Sequence, residues 1–223
     1  VAGLSLLMGK LLGYDRVELA SLGAAALLKD VGYIRLPPGV ADGPQGPEEG
    51  ELSQVREHPS QGAEILGQSE DLGPEVIQAV LQHHARWDGG GYPNGLVGPE
   101  ISSFARIVSI ADSYYDLVSV RPWRPALMPH EAIEYVMAYS GEMFDPELVR
   151  LFARQVPLYP TGIMVELNTG EVAFVTDANV GHIGRPMVRI CYDRNEAEEK
   201  NPYDVDLSDP RHQGQLIVRV LEY

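Results

Sequence analysis

Residues 83–96 read HHARWDGGGYPNGL, where two adjacent histidines run into a loop rich in glycine. Imidazole is a common protein ligand of iron, manganese, zinc and nickel ions. Adjacent residues of an α-helix point about 100° apart, so a histidine pair on a helix can face two neighbouring sites. The glycines allow backbone conformations that other residues avoid, so the loop can approach a ligand closely. The stretch therefore predicts a metal- or ligand-binding element at the join of a helix and a loop.

The sequence on both sides of this stretch has helical periodicity as far as residue 155. Helical patterns occupy residues 1–33, 52–66, 74–84, 104–118, 130–139 and 146–155. Residues 37–51 are dense in proline, glycine and acids, which predicts a surface loop. We therefore predict one helical domain over residues 1–155.

The pattern changes to alternation after residue 156. Ile163–Leu167 and Val172–Val175 flank an Asn-Thr-Gly turn, which predicts a hairpin. Val188–Tyr192 and Leu216–Leu221 have the composition of further strands. Residues 156–223 are therefore expected to form a small β-rich domain.

Composition excludes some classes of partner and location. The formal net charge of −15 leaves no basic footprint for DNA or RNA, so a nucleic acid polymer is not expected as a partner. No apolar run reaches about 18 residues, so no membrane helix is expected. The single cysteine, Cys191, excludes an internal disulfide and fits a cytoplasmic protein. Val1 begins inside an apolar helical pattern, which indicates part of a longer protein.

Three further residues carry metal-ligand chemistry within the helical region. His58 offers an imidazole, and Asp30 and Asp112 offer carboxylates on helices to either side. Taken singly, a histidine is more often a capped or solvated residue, and an aspartate is more often a helix cap or a surface acid. Their arrangement in the chain is more specific than any one of them.

In order and spacing, these residues resemble the HD-GYP family over about residues 1–155. The matching stretches are 27–33 (LLKDVGY), 58–66 (HPSQGAEIL), 83–96 (HHARWDGGGYPNGL), 105–112 (ARIVSIAD), 121–123 (RPW) and 144–146 (FDP). The resemblance implies an all-α HD-domain helical bundle, and the β-rich tail looks like an extension seen in some members. It also implies descent from a metal-dependent phosphodiesterase of cyclic di-GMP, a bacterial second messenger.

The resemblance also implies roles for individual residues. The family's site holds two or three metal ions, often iron or manganese, at the scissile phosphate. By position, Asp30 would bridge metal ions, and His58, His83, His84 and Asp112 would be ligands.

The nucleotide-binding residues follow from the same resemblance. Tyr92, Arg121 and Arg124 would face the nucleotide, together with Gly91 and Pro93 of the Gly-Tyr-Pro loop. Members of the family dock GGDEF-type diguanylate cyclases through this loop, so such a signalling protein is a possible partner. Trp87 fits two roles equally well, packing beneath the loop or a platform for the ligand.

The sequence departs from the family pattern at the metal site. Lys29 stands where the histidine of the His-Asp pair belongs, Tyr33 replaces the usual lysine, and Ala85 replaces the usual acid. A further upstream histidine would precede Val1. The first metal position therefore loses at least one ligand.

Lys29 is a poor substitute for a metal ligand because its ammonium is cationic at neutral pH. One hypothesis is that this ammonium occupies the place of one metal ion and neutralises Asp30. The alternative is that Lys29 points to solvent and water fills the gap. At most one divalent ion is then expected, held by Asp30, His58 and His83, and a site without any ion is also possible.

Three functions remain open at this point. The chain is a weakened phosphodiesterase that uses an altered metal site, an inactive binder that senses cyclic di-GMP, or an interaction module that keeps the fold and the loop. An intact loop beside an altered metal site favours the second and third.

Overall fold

The computed structural model describes residues 1–37, 40, 49–93, 95–195 and 197–221. Most of the predicted loop over 37–51 lies outside the described residues, as does Asn94 of the glycine-rich loop. The described helices are α1 (Ala2–Leu11), α2 (Arg16–Leu28), α3 (Glu49–Val55), α4 (His58–Leu66), α5 (Pro74–Gln82), α6 (Ser103–Leu117), α7 (Pro129–Ala138) and α8 (Pro146–Gln155). Short 3₁₀ turns lie at Val31–Arg35, Gly98–Glu100 and Pro210–His212.

The helix ends follow from local sequence. Asp15 caps α2 by accepting hydrogen bonds from the backbone N–H groups of Val17 and Glu18, and the Glu18 carboxylate accepts one from the backbone N–H of Asp15. Ser102 caps α6 through the N–H of Ala105. Pro74 opens α5, where its missing N–H costs nothing. These caps fix where the helices that carry the site begin.

Helix α6 is the centre of the helical unit. It packs against α1, α2 and α5. Its inward face is apolar, and most of the residues that face it from the other helices are apolar too. The buried residues are Met8, Leu22, Ala25, Val76, Ala79, Val80, Ile107, Val108, Ile110 and Ala111. This core holds α2, α5 and α6 together, and those helices position most of the candidate ligands.

The C-terminal strands form one antiparallel sheet. The strands are β1 (Met164–Leu167), β2 (Val172–Asp177), β3 (Met187–Tyr192), β4 (Glu198–Asp206) and β5 (Ile217–Leu221). Their order is β4-β3-β2-β1-β5. Residues of one face alternate into a small core of Val165, Leu167, Ala173, Val175, Val188, Ile190, Val205 and Leu207. The predicted fold class, a helical bundle with a β-rich C-terminal part, is confirmed.

Prediction and structure differ at three elements. Strand β4 was not predicted, because its sequence EEKNPYDVD is charged and contains a proline. The helix expected over 52–66 is two helices, α3 and α4, which are separated at Arg56 and Glu57. The helix expected to carry His83 and His84 ends at Gln82, so both histidines follow the helix.

The described chain divides into two compact units. One unit comprises Val1–Met128 and Glu134–Leu151, and the other comprises Pro129–Ile133 and Phe152–Tyr223. No helix in the described ranges has the length and apolar character needed to cross a membrane.

Candidate metal centre

Three histidines converge in the helical unit, and we call them the histidine cluster: His58, His83 and His84. One ring nitrogen from each lies within 4.8 Å of the others. His58 begins α4, and His83 and His84 directly follow α5. The rings of His83 and His84 are only 4.2 Å apart between centroids. The helix ends before both residues, and both rings enter one cluster. That the pair faces two neighbouring sites stays a prediction.

Backbone carbonyls fix the orientation of two of these rings. His58 Nδ1 donates to the carbonyl of Val55 at 2.7 Å, and His83 Nδ1 donates to the carbonyl of Val80 at 2.7 Å. Pro59 explains the first contact, since it has no N–H to give to the Val55 carbonyl four residues earlier. The second contact uses a carbonyl left free where α5 ends. A carbonyl can only accept, so in the neutral rings Nδ1 carries the proton and Nε2 presents a lone pair.

The Nε2 atoms of these two rings point at each other and at a carboxylate. His58 Nε2 lies 3.2 Å from His83 Nε2. Asp30 Oδ1 lies 3.5 Å from the first and 3.7 Å from the second. Three acceptor atoms thus converge with no proton between neutral rings and an ionised Asp30. Such a donor set repels itself unless a proton on one Nε2 or a metal cation lies among the three atoms, and His58, His83 and Asp30 are donors of the kind that suits a divalent metal ion, with His84 alongside.

Burial favours the neutral form of two rings of the cluster. Burial lowers the pKa of His58 to about 4 and that of His84 to about 2. Neutral imidazole is the form that binds metal ions, so these rings are ready as ligands at neutral pH without losing a proton.

Lys29 lies on the other side of Asp30. Its side chain is buried, with the residue only 7 % exposed, and its ammonium donates to Asp30 Oδ2 and to Asp112 Oδ1, the latter at 2.9 Å. We call Asp30 and Asp112 the carboxylate pair. The alternative in which Lys29 points to solvent is therefore wrong.

The ammonium and the carboxylate pair stabilise each other's charge. Burial alone lowers the pKa of Lys29, but Asp112 and Asp30 outweigh burial and raise it. Burial likewise raises the pKa of Asp30, yet contacts with His83 and Lys29 hold it well below its usual range. The result is a fixed ion triad with a net charge of −1.

A close approach between two backbone segments holds the carboxylate pair near the histidine cluster. Asp30 follows α2, and Asp112 lies on α6. A Cβ added at Gly32 would lie 2.0 Å from the carbonyl oxygen of His58 and 2.7 Å from the N of Gly62. Only glycine allows this approach, which brings the segment after Asp30 against the start of α4.

Two tyrosine rings cover the histidine cluster. Tyr33 stacks on His58, with centroids 4.3 Å apart and planes at 15°. Tyr92 stacks on His84, with centroids 4.9 Å apart and planes at 21°. Burial raises the pKa of Tyr92 to about 12 and also raises that of Tyr33, so both phenols stay protonated donors. Sequence reasoning noted Tyr33 only as a substitution and missed that its ring lies in the site.

Comparison with known proteins agrees with this geometry. A family model described as HD domain matches residues 1–148. The chain belongs to the HD domain family. A second family model, KOW domain associated with HD domain, matches residues 164–222 of this HD protein.

Curated relatives of the HD domain are phosphodiesterases by name. A cyclic di-GMP phosphodiesterase of Pseudomonas aeruginosa is 32% identical over 193 residues, which cover 86% of this chain and 46% of the relative. A cyclic di-GMP phosphodiesterase response regulator of Xanthomonas campestris pv. campestris is 38% identical, over 69% of this chain and 40% of its own length. The chain thus spans less than half the length of each of these relatives. The predicted HD-GYP recognition is confirmed.

Two solved structures share the fold of the HD domain. One is a HDG"Y"P protein from Bdellovibrio bacteriovorus, with a TM-score of 0.57 and 22% identity over 68% of this chain and 48% of that one. The other is a cyclic GMP-AMP specific phosphodiesterase of Vibrio cholerae, with a TM-score of 0.53 and 20% identity over 68% of this chain and 41% of that one.

The predicted nucleotide-facing arginines are both engaged with Asp116. Arg121 donates to Asp116 Oδ1 at 2.8 and 2.5 Å. Arg124 Nη2 lies 3.2 Å from Asp116 Oδ2 and donates to the Asp116 carbonyl at 2.6 Å, and its Nη1 donates to Leu117. Arg121 is close enough to Tyr33 to influence the pKa of that phenol. The guanidinium of Arg124 instead donates to backbone carbonyls near its own position in the chain. Their predicted roles in nucleotide binding stay predictions.

The remaining loop residues are held by backbone contacts. A Cβ at Gly91 would lie 2.3 Å from the carbonyl oxygen of His84, so this glycine allows the loop to pack on the histidine pair. Tyr92, which precedes Pro93, donates its N–H to the same oxygen at 3.2 Å. The Trp87 ring lies under the Arg106 guanidinium and beside Gly98, which favours packing beneath the loop over a ligand platform.

Proposed function

We propose that this HD domain acts in cyclic di-GMP signalling as a nucleotide-binding or protein-interaction module that is strongly impaired as a phosphodiesterase. The observation that carries the proposal is the position of the Lys29 ammonium, bonded to both Asp30 and Asp112. The resemblance assigns these carboxylates to metal ions, and the ammonium bonds to one oxygen of each, Asp30 Oδ2 and Asp112 Oδ1. One half of the ligand set is thus occupied by a residue of the chain itself.

The other half of the ligand set supports one metal ion. His58, His83 and Asp30 Oδ1 would hold it, with His84 close enough to join. A divalent ion bound there would supply positive charge that attracts and polarises a phosphate oxygen. The chain's own part is to orient the rings of His58 and His83 through the carbonyls of Val55 and Val80, while burial favours the neutral form of His58. Metal identity, iron, manganese or another, does not follow from imidazole and carboxylate donors alone.

Hydrolysis of a phosphodiester requires more positive charge than this site retains. The lysine ammonium carries a single charge, which the carboxylate pair already offsets. It cannot lower the pKa of a bound water as a second divalent ion does. We therefore infer that binding survives while turnover falls steeply.

A second candidate function is an active phosphodiesterase with an altered metal site. The intact histidine cluster favours it, because that cluster fits an ion without help from Lys29. The interaction-module version of the proposal, with a GGDEF-type or other signalling protein as partner, relies on the Gly-Tyr-Pro loop and on no metal at all.

One experiment separates these functions. The purified chain is analysed for its metal content, and cyclic di-GMP hydrolysis is assayed with added manganese or iron. At most one ion per chain with no turnover supports the proposal. Two tightly held ions with turnover would contradict it and establish the phosphodiesterase. Calorimetry with cyclic di-GMP then separates a nucleotide binder from an interaction module, which shows no nucleotide binding at millimolar ligand.

A further inference from the structure

Positive charge around the site is neutralised unevenly. Lys29 is bonded to both carboxylates of the pair, and this ion triad has a net charge of −1. Arg121 and Arg124 share the carboxylate of Asp116. These three cations therefore contribute little attraction for an incoming phosphate.

Arg56 differs from these three cations. It lies in the turn between α3 and α4, two residues before His58, and its side chain is exposed. Within the described part of the chain it has no ion-pair partner. Its guanidinium carbon lies 5.8 Å from the centroid of the Tyr92 ring, over its face. Tyr92 in turn stacks on His84, so a continuous stack leads from an un-neutralised cation to the histidine cluster.

The stack leaves the binding edge of the guanidinium available. A guanidinium that lies over an aromatic ring is held by the cation–π attraction while its N–H groups stay free around the edge. Those N–H groups form a planar fork that matches two oxygens of a phosphate. The ring thus orients the arginine before a ligand arrives, which reduces the entropy lost on binding.

We propose that Arg56 is a phosphate-binding residue of this site and contacts a phosphodiester group of a bound cyclic dinucleotide, with Tyr92 as the platform that orients it. This inference rests on the proposed function, since it assigns a new contact to the same site. It differs from the contacts implied by family resemblance, which place Arg121 and Arg124 at the nucleotide.

Calorimetry with cyclic di-GMP tests the inference on the wild-type chain, Arg56→Gln and the matched control Arg150→Gln. Arg150 is an exposed arginine of α8 whose guanidinium pairs with Glu147, so its replacement changes net charge equally. We expect Arg56→Gln to weaken binding by about tenfold or more, because a charge-assisted bidentate contact is lost. The control is expected to bind as the wild type does. Thermal melting checks that both variants fold.

Salt dependence provides a readout that a merely structural role would not change. A phosphate contact is screened by salt, so the affinity of the wild type is expected to fall more steeply with ionic strength than that of Arg56→Gln. Wild-type binding with an unchanged Arg56→Gln affinity would overturn the inference alone, and so would a weakened variant with the full salt dependence. A wild type that binds no cyclic di-GMP would instead overturn nucleotide binding as the proposed function, and this inference with it.

Discussion

The two halves of the candidate site share Asp30 and differ in what occupies them. On one side, Asp30 and Asp112 hold a buried lysine ammonium. On the other side, Asp30 faces two imidazole lone pairs that are oriented by backbone carbonyls. In the first half, the lysine side chain supplies the cation. In the second half, the described residues supply donor atoms that suit a cation, and no lysine or arginine pairs with them.

The comparison shows that the effect of a lysine at position 29 is confined to one half of the site. Lys29 offsets one of the two carboxylate charges, and its ammonium pairs with Asp30 and Asp112 rather than with the histidines. The ring orientations depend on Val55 and Val80, which Lys29 does not touch. We therefore expect metal binding in the histidine half to be separable from catalysis by the whole site, and experiments can address each half on its own.

Replacing Lys29 has the largest expected effect. Lys29→His removes the ammonium from the carboxylate pair and adds an imidazole, so we expect metal content to rise to two ions and cyclic di-GMP turnover to rise at least about 100-fold. Elemental analysis and a hydrolysis assay measure both. Lys29→Met is the control: it removes the charge but adds no ligand, and it should not restore turnover. A folded Lys29→His variant with unchanged metal content would show that the two halves are not separable in this way.

Acid is expected to destabilise the histidine half. Folding lowers the pKa of His58 from 6.5 to about 4, so below pH 6.5 the unfolded chain binds more protons and the folded state loses stability. His58 contributes a loss of about 1.4 kcal/mol per pH unit between pH 6.5 and 4, about 3 kcal/mol in all, and His84, whose pKa burial lowers to about 2, adds a similar slope across the same window. Asp30 does not contribute in this window, because its stabilising effect is lost only below the ordinary carboxyl pKa.

Urea unfolding in the presence of a chelator, from pH 7.5 to 4.5, measures this dependence. His58→Gln removes one of the two imidazoles with a lowered pKa and should reduce the slope to about half. A wild type whose unfolding free energy stays constant across the window would mean that the pKa of neither His58 nor His84 is lowered in the folded chain.

Removing one imidazole tests the metal site directly. His58→Asn is expected to weaken manganese binding by at least about tenfold, because one of three converging donors is lost. The titration is followed by calorimetry, with His182→Asn as the matched control, since His182 is an exposed histidine outside the cluster. Equal manganese affinity of the His58 variant and the wild type would place the ion elsewhere.

The smallest expected effect concerns the arginines beside the site. Asp116→Asn removes the shared partner of Arg121 and Arg124 and leaves Arg121 un-neutralised. We expect cyclic di-GMP binding to tighten by about threefold or less and stability to change by no more than about 1 kcal/mol, as is usual for exposed ion pairs. A loss of affinity in calorimetry would mean that Asp116 positions Arg121 for the ligand.

Much of the fold could be predicted from sequence because the helices have strong apolar periodicity and clear caps. The hairpin of β1 and β2 also follows from alternation around a glycine turn. Strand β4 could not be predicted, because its stability comes from pairing with β3, in which Val188 lies opposite Val205 and Arg189 opposite Asp204. Pairing between distant segments overrides a weak local propensity.

The site shows the same division between local and distant information. Spacing identified the candidate ligands, and the structure brings His58, His83, His84, Asp30 and Asp112 together, although their roles as ligands stay predictions. The direction of Lys29 depended on two carboxylates from different segments, so the sequence left two alternatives open. Arg56 could not be identified from the sequence, because the observation that singles it out is its contact with the Tyr92 ring, which comes from another loop.

Gly32 has a consequence for how mutational data on this domain should be interpreted. Any side chain there would collide with the backbone at His58, whether or not a metal ion or a nucleotide is ever bound. In a saturation library selected only for folded protein, position 32 would score among the most intolerant positions, next to a residue that carries chemistry. Intolerance beside this site is thus evidence of backbone architecture, and a domain that has lost catalysis altogether would still display it.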